Sequence, residues 1–176
     1  MKTLVIVIHP DIQNSVVNKR WIEELHQFPE KFHVHQLHEV YPDEKINVHA
    51  EQKLIEEYEK IVFQFPYYWF NCPAFLKKWL DEVLTHGWAY GSKSGYKVAG
   101  KKIALAISLG VDQAELSSSG IYKYPLEDLL HPFELSFEYV KADYKPFFAY
   151  YGIDHHPSAE WVEKSVPLYL NFLDKL

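Results

Sequence analysis

The sequence is short of cysteine, of glycine-rich motifs and of clustered positive charge, and each shortage excludes a class of protein. A single cysteine, Cys72, excludes an internal disulfide and favours a reducing compartment. Lys and Arg number 18 against 24 Asp and Glu, so the net charge of −6 argues against a nucleic-acid partner, which needs clustered basic residues to replace phosphate counterions. Neither G-x-G-x-x-G nor a Walker A pattern occurs, so the common glycine-based nucleotide loops are absent.

Long apolar runs are also missing. No stretch approaches the roughly 20 apolar residues of a membrane-spanning helix. The apolar run that follows Met1 is too short for a signal peptide and has no small-residue cleavage site. With the lone cysteine, these observations predict a cytoplasmic protein. What is present is 176 residues with 48% hydrophobic and 24% charged content, which predicts one globular domain over residues 1–176.

Apolar patterns of strand and helix type alternate along the chain. Strands are predicted at residues 4–8, 32–37, 60–65, 102–109 and 146–151. Helices are predicted after Ser15, at 50–58, after Pro73, at 126–139 and at 159–176, the last interrupted or kinked near Pro167. This alternation predicts an α/β three-layer sandwich with a five-stranded parallel sheet. The flavodoxin-like order 2-1-3-4-5 suits the length, although that order comes from fold analogy. Trp21, Trp79 and Trp161 fall on apolar helix stripes and are predicted core residues.

The loop after the third predicted strand holds four consecutive aromatic residues, Tyr67 to Phe70. Loops normally carry Gly, Asn, Ser and Asp, so exposed rings at this point need a cover. In an open α/β sheet the ligand crevice lies at the carboxyl ends of the strands, which is where this loop belongs. A planar cofactor is the predicted occupant. The alternative is a hydrophobic patch covered by a neighbouring subunit, and the two interpretations are compatible.

Two further loops should meet the aromatic loop. Ser15 follows the first strand and is a plausible N-cap, so the free N–H groups of the next helical turn could bind a phosphate. An ordinary cap with nothing bound is the alternative. The loop after the fourth strand contains Gly110, which permits close approach of its backbone to a ring edge.

Several motifs resemble those of a known enzyme family. Residues 63–79 contain Phe-Gln-Phe-Pro, Trp-Phe, Pro-Ala, Leu-Lys and Trp in order, and 86–91 contain His-Gly-Trp-Ala-Tyr-Gly. His9 with Ser15 and Asn18 completes the pattern upstream. The chain resembles the NAD(P)H:quinone oxidoreductases, which are flavoproteins of flavodoxin-like fold. The likeness extends to small bacterial members, including the ancillary flavoproteins of potassium-efflux systems.

The resemblance implies a homodimer with one flavin per subunit, FMN in preference to FAD because the chain is short. It implies a cofactor site made of His9, Ser15, Val17, Asn18, Pro66, Tyr67, Tyr68, Trp69, Phe70, Ser108, Leu109, Gly110 and Val111. Catalytic roles are implied for Tyr90, which would cover the substrate across the dimer, and for backbone N–H groups near Gly110, which would stabilise the reduced ring. Tyr122 or Tyr124 is the nearest counterpart of a histidine that mammalian members use beside the flavin.

The resemblance also implies a reaction. NAD(P)H would pass a hydride to the flavin, leave, and be replaced by an acceptor in a ping-pong cycle. Quinone is the expected acceptor, and nitroaromatic or azo compounds could serve equally. Two alternatives stay open, a flavin-bearing regulatory subunit of a potassium-efflux transporter and a flavodoxin-like electron carrier without turnover of its own.

Histidine and cysteine suggest no further chemistry. His33 with His35, and His155 with His156, form pairs without a convincing third ligand, so no metal is predicted. Cys72 has no base signature beside it and is not predicted to be a nucleophile.

Overall fold

A parallel sheet forms the centre of the computed structural model, which describes residues 2–156 and 158–176. Its strands are β1 Thr3–Val7, β2 Phe32–Gln36, β3 Lys60–Pro66, β4 Lys102–Ser108, β5 Asp143–Tyr144 and β6 Phe148–Tyr150. The order is β2-β1-β3-β4-β5, with β6 also paired to β4. The predicted flavodoxin-like α/β fold and its strand order are confirmed.

The predicted count of five strands is corrected at the edge of the sheet. One strand was predicted at residues 146–151, but β5 pairs with Lys102 and Ile103, whereas β6 pairs further along β4 from Ala106 to Ser108. Pro146 lies between the two pieces and has no N–H to donate to a ladder. The edge of a sheet tolerates this interruption because an edge strand forms ladder hydrogen bonds with one neighbour only.

The helices are α1 Val17–Leu25, α2 Leu37–Val40, α3 Val48–Glu56, α4 Ala74–Val83, α5 Leu126–Tyr139 and α6 Ala159–Asp174, with a short 3₁₀ helix at Ile12–Asn14. The predicted bounds of α5 are confirmed at both ends. The closing helix runs through Pro167 without the predicted interruption. No helix among the described residues is long and apolar enough to cross a membrane.

Two apolar layers hold the helices against the two faces of the sheet. Along β1, Leu4 and Ile6 belong to one layer and Val5 and Val7 to the other, as the alternation of side chains in a strand requires. The first layer packs under α3, α4 and α5, and the second under α1 and α6. The prediction of core positions is confirmed for Trp21 and Trp79, at 0% and 1% exposure. Trp161 packs against the second layer but is only partly buried, so its core assignment is confirmed only in part.

The parallel register brings the carboxyl ends of three strands to one edge. Val7 of β1 lies opposite Gln64 of β3, and Pro66 of β3 lies opposite Ser108 of β4. The loops that follow β1, β3 and β4 therefore leave the sheet side by side, which is where open α/β sheets place their ligands.

Candidate cofactor site

One cavity of about 670 Å³ lies where these three loops meet. The predicted cofactor residues line it with the exception of Val17, and Tyr122 joins them. Its lining also includes residues that the sequence did not single out, namely Asp11, Asn14, Val16, Ile153 and Asp154. Three segments predicted from separate patterns thus form one concave site.

The N-terminus of α1 closes one end of the cavity. The Ser15 hydroxyl accepts a hydrogen bond of 3.1 Å from the Asn18 N–H, which confirms its capping role. Among the residues that the structure describes, no acceptor takes the N–H groups of Val16 and Val17. The side chain of Val17 is fully buried in the core and the residue does not line the cavity, which leaves the Val16 N–H as the free group beside a ligand. Free N–H groups at the start of a helix suit an anion such as phosphate.

His9 lies beside this end of the cavity as a neutral side chain. The Asp11 N–H donates to His9 Nδ1 at 3.1 Å, so the proton of the ring sits on Nε2. Burial lowers the pKa of His9, and the opposing charge of Asp11 offsets this only in part. The Asp11 carboxylate in turn accepts from the Asn14 amide at 2.8 Å. His9 therefore offers a single N–H donor.

The aromatic residues form a tight turn in the loop after β3. Tyr68 and Asn71 exchange two backbone hydrogen bonds of 2.9 Å each, and between them Trp69 and Phe70 have φ values of 50° and 58°. Positive φ at both central residues is the signature of a type I′ turn, which favours Asn-Gly. A left-handed conformation costs an ordinary residue about 1–2 kcal/mol.

The same turn leaves its indole ring in solvent. Trp69 is 94% exposed, more than any other large apolar residue of the described chain. Backbone strain combined with an exposed aromatic ring has no benefit for folding, and strained residues cluster where ligands bind.

Tyr67 and Tyr122 lie next to the turn. The Tyr67 N–H donates to the Ser108 carbonyl at 2.8 Å, which joins this loop to the end of β4. Burial, with smaller contributions from Cys72 and Tyr151, raises the pKa of Tyr67 to about 12. Tyr122 stands edge-on to Phe70 at 5.0 Å between ring centroids and lines the cavity, which makes it the better placed of the two predicted tyrosine donors.

Gly110, in the loop after β4, lies against the side chain of Asp154. A Cβ at this position would lie 2.2 Å from Asp154 Oδ2, so the space predicted for a ring edge is shared with that carboxylate. The Asp154 N–H also donates to the Gly110 carbonyl at 3.1 Å. Asp154 follows β6, and its arrival here could have been foreseen from the rule that all strand ends face one edge.

Tyr90 lies outside the cavity. It lines a second, apolar groove of about 1240 Å³ between α4 and α5, where its ring centroid is 5.3 Å from that of Tyr139. Tyr68 and Trp69 line both the groove and the cavity. A role for Tyr90 over its own subunit's cavity is thus not supported by this geometry, whereas a role across a dimer stays a prediction.

Two acidic residues that the sequence analysis did not connect with His155 lie beside it in the structure. Asp112, Glu115 and His155 place one possible ligand atom each within 4.8 Å of one another. They are already bonded to one another, since Glu115 Oε2 accepts from the Asp112 N–H at 2.7 Å and lies 3.3 Å from His155 Nε2. Grouped carboxylates on a loop are common without an ion, and we assign no metal to them.

Comparison with known proteins identifies the family. The Flavodoxin_2 family, described as a flavodoxin-like fold, matches residues 1–169. The chain belongs to this family. It is 45% identical over 173 residues to the uncharacterized NAD(P)H oxidoreductase YrkL of Bacillus subtilis, covering 98% of each chain. It is 42% identical over 135 residues to KefG of Yersinia enterocolitica, a glutathione-regulated potassium-efflux system ancillary protein, covering 77% of this chain and 72% of that one.

Two solved structures extend the family relationship. General stress protein 14 of Treponema denticola, crystallised in complex with FMN, superposes with a TM-score of 0.93 at 48% identity and 99% coverage of both chains. An NADPH-quinone reductase from P. pentosaceus superposes with a TM-score of 0.87 at 26% identity and 98% coverage of both chains. The predicted membership in the family of NAD(P)H oxidoreductases is confirmed.

Proposed function

We propose that this Flavodoxin_2 protein is an NAD(P)H-dependent oxidoreductase that holds FMN in the cavity at the carboxyl ends of β1, β3 and β4 and reduces a quinone or similar acceptor. Residues 1–176 would form one flavin-binding domain. The observation that carries the proposal is the strained turn at Trp69 and Phe70, which presents an indole beside a cavity whose far end has free helical N–H groups. An exposed ring and an anion site suit a ligand that is planar at one end and phosphorylated at the other.

At the phosphate end the chain supplies neutral donors. The N–H groups of Val16 and of His9 Nε2 would hold the phosphate, with the dipole of α1 favouring its charge. In the part of the chain that the structure describes, no lysine or arginine lines the cavity. FMN is favoured over FAD because the chain is short.

At the ring end the chain supplies contact and orientation. Trp69 and Phe70 would pack on the isoalloxazine, while the Tyr67 N–H bond to Ser108 fixes the loop that carries them. Tyr122, edge-on to Phe70, would hold a proton near the acceptor. Backbone N–H groups at Gly110 and Val111 would face the charge that develops on the ring edge.

FMN supplies the hydride chemistry when it is bound. The protein's part is to leave one ring face open, so that NAD(P)H and the acceptor occupy the same place in turn. A shared place predicts ping-pong kinetics.

The test begins with the visible spectrum of the purified protein supplied with FMN. The proposal expects a yellow complex that NADH or NADPH bleaches and a benzoquinone restores, with parallel lines in double-reciprocal plots. A protein that binds neither FMN nor FAD contradicts the proposal. A protein that binds FMN but transfers no electrons from NAD(P)H would be a carrier.

We also propose that the apolar groove between α4 and α5 is the contact surface of a homodimer. Leu135 and Tyr139 are 65% and 67% exposed on it, and Tyr90 completes its wall. Since Tyr68 and Trp69 line groove and cavity alike, a second subunit in the groove would lie against the edge of the cofactor site. Tyr90 of that subunit would then reach the substrate.

Leu135→Asp should convert the dimer to monomer. A carboxylate in the centre of an apolar contact must be desolvated, and a cost of about 3 kcal/mol raises the dimer dissociation constant roughly a hundredfold. Sedimentation velocity across a concentration series measures this. Leu168→Asp is the matched control, because Leu168 is 52% exposed on α6, against the other face of the sheet. Equal effects of the two changes, or a monomeric parent, would refute the proposed surface.

A transporter-linked role is the second candidate, favoured by the 42% identity to KefG. Under this hypothesis FMN reduction in the same cavity would regulate a potassium-efflux partner. Activation of potassium efflux in vesicles by the FMN-loaded protein would support it, and unchanged efflux alongside full quinone turnover would exclude it.

A further inference from the structure

A chain of four buried polar side chains leads from α6 along one face of the sheet to the cavity. Tyr169, Gln64, Asn18 and Ser108 are each at most 5% exposed. The Tyr169 hydroxyl lies 2.9 Å from Gln64 Oε1, Gln64 Nε2 lies 3.2 Å from Asn18 Oδ1, and Asn18 Nδ2 lies 2.8 Å from Ser108 Oγ. Only Asn18 and Ser108 line the cavity, so Tyr169 and Gln64 cannot touch a ligand there.

A single backbone carbonyl determines the direction of every bond in this chain. Gln64 Nε2 also lies 3.2 Å from the Asn18 carbonyl oxygen, which can only accept, so the Gln64 nitrogen must face Asn18. The Gln64 oxygen therefore faces Tyr169 and accepts from its hydroxyl. Burial raises the pKa of Tyr169 far above its ordinary value, so that hydroxyl keeps its proton.

The orientation of Gln64 in turn fixes the orientations of Asn18 and of Ser108 at the cavity. Because the Gln64 nitrogen donates to the Asn18 side chain, the Asn18 oxygen must face Gln64 and its nitrogen must face Ser108. Ser108 Oγ then accepts from Asn18 and retains one hydrogen of its own. Among the described residues no group accepts that hydrogen.

The position of Ser108 indicates which part of a ligand would receive it. Asn18, its neighbour on one side, belongs to the helix start at the proposed phosphate end. Tyr67, whose N–H donates to the Ser108 carbonyl, belongs to the loop at the proposed ring end. Ser108 lies between the two ends, where FMN carries its ribityl chain.

We propose that Tyr169 and Gln64 are positioning residues that act through Asn18 to hold the Ser108 hydroxyl as a hydrogen-bond donor to a ribityl oxygen of FMN. The inference rests on the proposed function, since it assumes FMN in the cavity. Loss of the Tyr169 hydroxyl leaves the buried Gln64 oxygen without a donor, so the amide loses its anchor on α6 and shifts relative to Asn18, and the Ser108 hydrogen is then less well aligned with the ligand.

The test is a double-mutant cycle in FMN affinity, measured by quenching of flavin fluorescence on titration of the apoprotein. Ser108→Ala should weaken FMN binding about two- to tenfold, the range for one hydrogen bond between neutral groups. Tyr169→Phe should weaken it by a smaller factor of at least about two. In the Ser108→Ala background, Tyr169→Phe should have no further effect on FMN affinity while still lowering the urea midpoint.

Ligand and variant controls isolate the ribityl contact. Lumiflavin has the ring without the ribityl chain, so its affinity should be the same in all four proteins. Tyr150→Phe is the variant control. It removes the hydrogen bond from the Tyr150 hydroxyl to the Trp161 carbonyl, which is not one of the bonds that link Tyr169 to Ser108, and it should leave FMN affinity unchanged.

Three outcomes would overturn the inference. The first is a Tyr169→Phe protein that loses stability but binds FMN within about twofold of the parent. The second is additive effects in the double mutant, and the third is an equal loss of lumiflavin affinity. A parent that binds no FMN at all would instead refute the proposed function, so the two failures are distinct.

Discussion

Trp69→Asn should remove most of the FMN affinity of this protein and leave its fold as stable as before, or more so. Trp69 is 94% exposed, so its loss costs almost no buried area. Asn adopts positive φ more readily than Trp and is favoured in a type I′ turn, so the free energy of unfolding should stay equal or rise by about 0.5–1 kcal/mol. The lost stacking of an aromatic ring, about 1–3 kcal/mol, should weaken FMN binding roughly tenfold to a hundredfold.

Fluorescence titration with FMN and urea unfolding of the apoprotein measure the two effects separately. Glu44→Asn is the matched control, because Glu44 has a φ of 54° on an exposed loop that does not line the cavity. It should relieve the same kind of strain without altering FMN affinity. A Trp69→Asn protein with the parent's FMN affinity would refute the stacking role.

Trp161→Ala should reduce stability through the lost contact with Tyr150, at 4.3 Å between ring centroids.

The second large effect is expected at Glu51, a residue of α3 whose carboxylate is buried, at 1% exposure. Its Oε2 accepts from Trp79 Nε1 at 2.7 Å, and its Oε1 accepts from the Tyr41 hydroxyl at 2.8 Å and lies 2.9 Å from His35 Nε2. These contacts join α3 to α4, to β2 and to the loop after α2. Glu51→Leu would leave these three polar groups without their hydrogen-bond acceptor and should lower the free energy of unfolding by about 3–5 kcal/mol.

Glu51→Gln should retain most of that stability for a geometric reason. Trp79 Nε1 can only donate, so the amide oxygen would face Trp79 and the amide nitrogen would face His35 and Tyr41. A tyrosine hydroxyl can accept, and so can the ring nitrogen of a neutral histidine. The expected loss is about 1 kcal/mol, far below that of the Leu variant.

The pH dependence separates the charge of Glu51 from its shape. Burial alone would raise the pKa of Glu51, but the hydrogen bonds and charge of His35, with Trp79 and Tyr41, hold it below its ordinary value. Because the pKa of Glu51 is lower in the folded state, its carboxylate stabilises the protein at pH values above the pKa of the unfolded state, about 4.3. This stabilisation is lost as the pH falls through the pKa of the folded state. The parent's advantage over Glu51→Gln should therefore be complete at neutral pH and shrink below about pH 4.

Urea unfolding of the parent and both variants between neutral and acidic pH measures these differences. An advantage that does not change with pH would show that the Glu51 charge contributes nothing. A Leu variant as stable as the Gln variant would refute the role of the three hydrogen bonds.

The candidate site was largely predictable because each of its loops has a local signal. Four aromatic residues after a buried strand are abnormal for a loop, and a serine before a helical pattern is a normal cap. The strained conformation of Trp69 and Phe70 was not predictable, since neither residue favours positive φ. Val17 was assigned to the site by the family resemblance, but the helix turns its side chain into the core. One residue along a helix changes the direction of a side chain by about 100°.

The sequence by itself determined the main helices and strands of this protein and their order along the chain. Apolar periodicity and proline positions mark helix and strand wherever the pattern is local, and α5 was predicted to the residue. Alternation of the two kinds of element leaves few topologies, because crossovers between parallel strands are right-handed.

Only the tertiary structure decided which polar groups are buried together. Tyr169 and Gln64 are 105 residues apart in the chain, and Asn18 and Ser108 are 90 apart. Glu51 has no local feature that distinguishes it from the exposed acidic residues around it. A polar side chain is buried when distant segments supply donors and acceptors for it, and the positions of those segments depend on the packing of the whole chain.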